Sequence, residues 1–182
     1  MQAESQADGP TQSMPLRHLD AFLRDLHGPR RERYLAAAAR LPERARFAGR
    51  FEHDALAELL PTCEALVVPS TFPEAFGMVA AEGAACGALP VSAAHSGLAE
   101  VSRVLAGAVP AEVASWLSFP VDDHAVPAIA QCLVGWLRSD PALREQARAG
   151  LVATARARWS WEGVARGVIG AACGQLDMLP SP

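Results

Sequence analysis

The stretch from Val67 to Gly97 leaves this chain few ways to fold. It is entered by an uninterrupted apolar run, Ala65–Val68, bounded by Glu64 and by Pro69-Ser70. Short Val-rich runs of this kind suit a parallel strand buried on both faces. Pro69 and Pro73 stiffen the connection that follows, so the carboxyl end of the strand leads into a tight loop. A helix is predicted over Gly77–Cys86, where Gly87 suits its termination, and a second strand over Leu89–Ala93. Strand, loop, helix and strand make a βαβ unit. In open α/β sheets ligands bind beyond the carboxyl ends of the strands.

The opening amides of this helix, near Phe76–Val79, have no intrahelical acceptor and lie at the positive end of the helix dipole. Such a mouth can take a phosphate, and Gly77 lets the backbone approach closely. Two carboxylates flank it. Glu74 and Glu82 are eight positions apart, on the order of 12 Å along a helix. That is about the length of a sugar, a diphosphate and a ribose laid end to end. One carboxylate would then accept from hexose hydroxyls and the other from ribose hydroxyls. The competing reading makes Glu82 a solvated residue on an Ala-rich helix. A helix this rich in Ala, Cys and Gly is expected to pack on both sides, however, and a glutamate there needs a partner or a cleft.

The segment PEAFGMVAAEGAACGALPV, Pro73–Val91, resembles the signature of the retaining, family 4-type glycosyltransferases of the GT-B fold: Glu, seven residues, Glu, with Phe-Gly after the first and a Gly-x-Pro-Val strand afterwards, for which this chain has Gly87-Ala88-Leu89-Pro90-Val91, one residue longer. GRFEHDALAELLPTCEALVVPS, at Gly49–Ser70, is similar to the segment that precedes it in that family, and SAAHSGLAE, at Ser92–Glu100, resembles the loop that follows. The likeness covers roughly residues 44–125. It implies an α/β fold, a Rossmann-like three-layer α/β/α domain with a short parallel sheet of about four strands, corresponding to part of the C-terminal, donor-binding lobe. It implies a nucleotide-diphosphate sugar as donor substrate, with Glu74 as the catalytic residue that contacts the sugar. The backbone of Phe76, Gly77, Met78 and Val79 would face sugar and phosphates, Glu82 would hold the ribose, and Arg50 and Phe51 would lie near the nucleobase.

Composition agrees with such a domain and excludes several others. Of the 182 residues, 51% are hydrophobic and 6% aromatic, so Ala and Gly supply much of the bulk. That suits helices packed closely on a sheet, and the length suffices for one core. The net charge of −4 offers no basic surface for nucleic acid. The four cysteines, Cys63, Cys86, Cys132 and Cys173, are far apart and form no metal-ligand spacing. Cys86 and Cys132 fall in apolar surroundings and read as buried thiols, so a reducing cytoplasm is the expected location. Met1–Ser13 is polar, neither a signal peptide nor a membrane span. A disordered tail is expected over 1–14 and a single domain over 15–182.

Amphipathic helices are expected over Pro15–His27, capped by Ser13 and ended by Gly28-Pro29, and over Arg30–Arg40. Arg46–Ala48 reads as a short strand. A helix over Asp54–Leu60, capped by Asp54, would turn Leu56, Leu59 and Leu60 toward the sheet. Further helices are expected over Gly97–Ala106, Val126–Leu137, from Ser139-Asp140-Pro141 to about Arg158, and from Trp161 through Ala172, with a strand over Trp116–Pro120. The four tryptophans read as core anchors rather than a sugar-stacking platform. His95 reads as a loop residue, with a place at the cleft rim as the alternative. No Gly-x-Gly-x-x-Gly follows a strand, and no phosphate-binding P-loop or Gly-x-Ser-x-Gly elbow occurs. A glycosidase pair is disfavoured by the helical separation of the two glutamates.

Against the resembled family, the acceptor-binding N-terminal lobe and the strand carrying an Arg and a Lys for the diphosphate have no counterpart in these residues. The resemblance therefore implies metal-independent chemistry, weak donor affinity, and an exposed face that calls for a partner: an N-terminal lobe on another chain or self-association. The alternative is a non-catalytic α/β module used as a scaffold or for partner binding.

Overall fold

A computed structural model describes residues 17–175; the expected tail and the Ser13 cap lie outside them. The chain divides into two compact units, Met1–Arg50 and Phe51–Pro182.

The first unit is helical. Helix α1 spans Arg17–Asp25, α2 Gly28–Ala38 and α3 Leu41–Arg44. Phe22 meets Tyr34 edge-on, with ring centroids 5.3 Å apart, and Leu26 is buried between α1 and α2 in sequence. Gly28-Pro29 does not end the first helix as expected; it opens the second, where proline's missing N–H has no helical acceptor to lose. Arg46–Ala48 is not a strand. Every residue from 41 to 50 is exposed, Phe47 at 89%, so the segment has no buried face to favour a ladder.

The second unit is an α/β domain of Rossmann-like arrangement. Helix α4, His53–Leu59, and a 3-10 turn, Leu60–Thr62, lead into β1, Ala65–Val68. Helix α5, Met78–Ala85, connects β1 to β2, Leu89–Ala93. Then follow α6, Ser96–Ala106, α7, Ala111–Ala114, β3, Ser118–Phe119, α8, Ala125–Arg138, α9, Pro141–Trp159, and α10, Trp161–Ala172. The described strands form one parallel sheet in the order β1-β2-β3, three rather than about four, because 46–48 does not join. The register runs from Ala65 opposite Leu89 to Val68 opposite Ser92.

All five residues of β2 are buried, as a strand covered on both faces requires. Pro90 is tolerated in this central strand for a directional reason. Leu89 donates its N–H to the Glu64 carbonyl on the β1 side, at 3.1 Å, and Ser92 donates to the Leu117 carbonyl on the β3 side, at 3.0 Å. Amides alternate sides, so Pro90 lacks a donor on the β3 side, where pairing begins only at Ser92.

Helix α5 lies close on β1. A Cβ at Gly83 would come within 2.7 Å of Leu66 Cδ2, so only glycine permits this spacing without repacking. Trp136 of α8 is fully buried and donates its indole N–H to the Glu64 carbonyl at 2.9 Å, tying α8 to the approach to β1. Helix α4 begins at His53, with Glu52 rather than Asp54 at its cap and no side-chain cap bond. Leu60 is buried and Leu56 half-buried, but Leu59 is exposed. Trp161 departs furthest from expectation: it is 88% exposed and anchors no core.

Candidate functional site

The mouth of α5 is shaped by Gly77. Its φ of +87° is a left-handed conformation that glycine adopts without strain, and a Cβ there would also approach Leu98 Cδ2 to 2.8 Å. The first helical bonds run from the Ala80 and Ala81 amides to the Gly77 carbonyl, at 3.1 and 3.3 Å. The Met78 and Val79 N–H groups precede them and have no carbonyl one turn back. No side chain caps this end. Gly77 is buried, whereas the Phe76, Met78 and Val79 side chains are exposed around it.

A cleft of about 280 Å³ opens beside this mouth, between α5 and the α9–α10 junction. Phe76, Met78 and Glu82 line one wall; Arg156, Trp159 and Trp161 line the other. Phe76 and Trp159 meet edge-on with centroids 5.6 Å apart, which fixes the rim. Glu82 is half-buried on a helix whose neighbours Ala80, Ala81, Gly83 and Ala84 are buried. It also lines a second cleft, of about 360 Å³, shared with His53, Asp54 and Cys86. The carboxylate thus stands on a ridge between two clefts. The expectation that a glutamate on so closely packed a helix faces a cleft agrees with this position.

Glu74 is half-buried in the loop before α5 and lines neither cleft. Its backbone is held on both sides: its N–H donates to Ser96 Oγ, and its carbonyl accepts the Gly97 N–H, each at 2.9 Å. Val79 and Gly77 also lie outside the cleft linings, although they flank the helix mouth. Phe51 opens the second unit as an exposed residue outside both linings, and Arg50 is the last residue of the first unit.

Electrostatics around Glu82 are visible in Cys86. Burial pushes this thiol above its ordinary range; the Glu82 carboxylate and Cys63 add to the rise, and Arg156 opposes it. Cys132 is raised mainly by burial. All four cysteines are free.

Two participants escaped the sequence reading. Arg156 brings a cation to the cleft, and Trp161 an exposed ring. Both lie some eighty positions beyond the helix mouth, so spacing carries no signal for them; only the pairing of Phe76 with a Trp-Ser-Trp corner, known once the fold is known, joins the two. Among the described residues no cluster of three or more His, Cys, Asp or Glu side chains is placed to hold a metal, and no helix is long and apolar enough to cross a membrane.

Residues 25–110 match the family model of glycosyl transferases group 1. The matched glycosyl transferase segment is just under half of the chain. It contains Glu74, the mouth of α5, Glu82 and His95, and stops before β3. It supports a glycosyltransferase function for this chain. No curated protein matches the chain.

Proposed function

We propose that the α/β unit is the donor-binding part of a retaining glycosyltransferase of the family 4 type, acting on a nucleotide-activated hexose. What supports this most is one juxtaposition: Phe76, Met78 and Glu82 line a single cleft at an uncapped helix mouth, within the segment that the glycosyl transferase family model matches. In this reading the diphosphate lies on the amides of Phe76–Val79, whose dipoles stabilise the negative charge that grows as the leaving group departs. The bond from the anomeric carbon to the diphosphate oxygen breaks. The acceptor hydroxyl forms the new bond on the same face, and its proton passes to the departing phosphate oxygen. Glu74 orients the sugar, Glu82 accepts from the ribose hydroxyls, and Phe51, at the start of the same unit, meets the nucleobase. Charge is met by helix amides, so the reading takes no metal. Acceptor recognition is assigned to an opposing lobe, and the cytoplasm, where sugar nucleotides are made, is the proposed location.

Calorimetric titration of the chain with UDP-glucose and GDP-mannose tests this. Glu82→Ala removes charge-assisted hydrogen bonds of about 1.5–3 kcal/mol, so affinity is expected to fall about tenfold or more. Unchanged binding by this variant would count against the ribose role.

A second reading, a non-catalytic module that pairs with another chain, is favoured by α10. Trp161, Val164, Val168 and Ile169 form one exposed apolar stripe at helical spacing. Stable self-association in size-exclusion chromatography, together with no donor hydrolysis, would favour it over the transferase.

A further inference from the structure

His95 lies one residue before α6, in extended conformation, and joins the two loops that approach the mouth of α5. Its Nε2 is 2.8 Å from the Ser70 carbonyl. A carbonyl only accepts, so Nε2 carries the proton. Its Nδ1 is 2.9 Å from Ser96 Oγ. That oxygen already accepts the Glu74 amide at 2.9 Å, and its hydroxyl hydrogen is free to donate to a bare Nδ1. The chain of bonds is therefore directional and self-consistent: Glu74 N–H to Ser96 Oγ, Ser96 O–H to His95 Nδ1, and His95 Nε2–H to the Ser70 carbonyl. Of the two neutral tautomers it selects the one protonated at Nε2. His95 and Ser96 reach back 25 and 22 positions to grip Ser70 and Glu74, both in the segment between β1 and α5.

The backbone bears out the purpose of the contact. Ser96 has a φ of +49°, the one non-glycine residue with positive φ among those described. Left-handed conformations cost a residue other than glycine roughly 1 kcal/mol or more, so the hydroxyl is held there against a local preference. Gly97 then lets the loops touch: a Cβ on it would fall 2.5 Å from the Phe76 backbone.

We propose that His95, as the Nε2-protonated tautomer, is a positioning residue for the donor loop. Acting through Ser96, it fixes the Glu74 backbone, and with it the approach to the mouth of α5. It does not touch the ligand. The inference rests on the donor-site reading for its functional consequence, but not for its structural content.

The tautomer is measured first, on the isotope-labelled full chain, by long-range proton–nitrogen correlation spectra of the histidine rings at slightly alkaline pH. His95, assigned by the signal lost in His95→Gln, is expected to show a protonated Nε2 and a bare Nδ1. Ser96→Gly keeps the left-handed backbone and deletes the hydroxyl; the Ser70 carbonyl still holds the proton on Nε2, and the bare Nδ1, having lost its donor, is expected to shift its nitrogen resonance. A wild-type ring that averages both tautomers or carries the proton on Nδ1 would overturn the proposal, as would a Ser96→Gly spectrum like the wild type. The second measurement titrates UDP-glucose and GDP-mannose into the wild type and Ser96→Gly. Affinity is expected to fall about tenfold in the variant, and equal affinities with a shifted Nδ1 resonance would remove the positioning role. If the wild type binds neither probe, the donor reading fails by itself, and the clasp stands or falls on the spectra.

Discussion

At the scale of single residues, the least compensated group is the Ser92 hydroxyl. Ser92 is fully buried in β2, and its Oγ has no hydrogen-bond partner among the described residues. A buried, unpaired hydroxyl costs about 1–3 kcal/mol, whereas an apolar replacement of similar size has nothing to leave unpaired. Ser92→Ala is therefore expected to raise stability by about 1 kcal/mol, or about 2–4 °C in Tm for a chain of this length, read by thermal denaturation. The residues of the candidate site were legible where a side chain type answers a local need. Gly77 was readable as a place that wants no Cβ, which its left-handed backbone and the close Leu98 side chain explain, and Glu82 because a carboxylate among buried neighbours needs a cleft. His95 was not. One of its partners, the Ser70 carbonyl, lies 25 positions earlier, and a single histidine in sequence does not say which of its nitrogens will be bonded.

At the scale of elements, the contact between the entry to α6 and the loop before α5 is the tightest joint near the site. Gly97→Ala would place a methyl group 2.5 Å from backbone atoms of Phe76, which have no rotamer by which to escape. Forcing such a group into packed structure costs about 1–3 kcal/mol, so the variant is expected to lower Tm measurably and to shift the amide resonances of Glu74 and Phe76. Strands and long helices followed their sequence patterns closely: β1 and β2 have the predicted bounds, and the helices predicted from Gly97, Val126 and Trp161 differ from α6, α8 and α10 by about one residue at their ends. Failures came where few residues decide. Gly28-Pro29 carries signals both for ending one helix and for opening the next, and the second prevailed. Helix α7 is a single turn with too little periodicity to notice, and the apparent strand at Arg46–Ala48 lacked a ladder, which sequence alone does not reveal.

At the scale of the whole molecule, the polar and apolar surfaces are unequally shared. Helix α10 turns Val164, Val168 and Ile169 outward in line with Trp161, while its first turn is capped by Ser160, whose Oγ accepts the Gly163 N–H at 3.1 Å. The helix is thus well made but only partly covered. Ile169→Lys is expected to reduce hydrophobic-dye binding and any concentration-dependent association, with a change in stability of no more than about 0.5 kcal/mol, because the side chain leaves no core. Association that persists undiminished in this variant would place its seat elsewhere on the surface.

The backbone proximity of Gly97 and Phe76 has a bearing on how anything enters. Two segments that touch main chain to main chain, and are bonded again through Glu74, cannot part like jaws. They travel as one rigid piece or not at all. On the donor-site reading, room for an incoming molecule would come from the far bank, where the exposed side chains of Arg156 and Trp161 line the cleft, and not from the joined main chains.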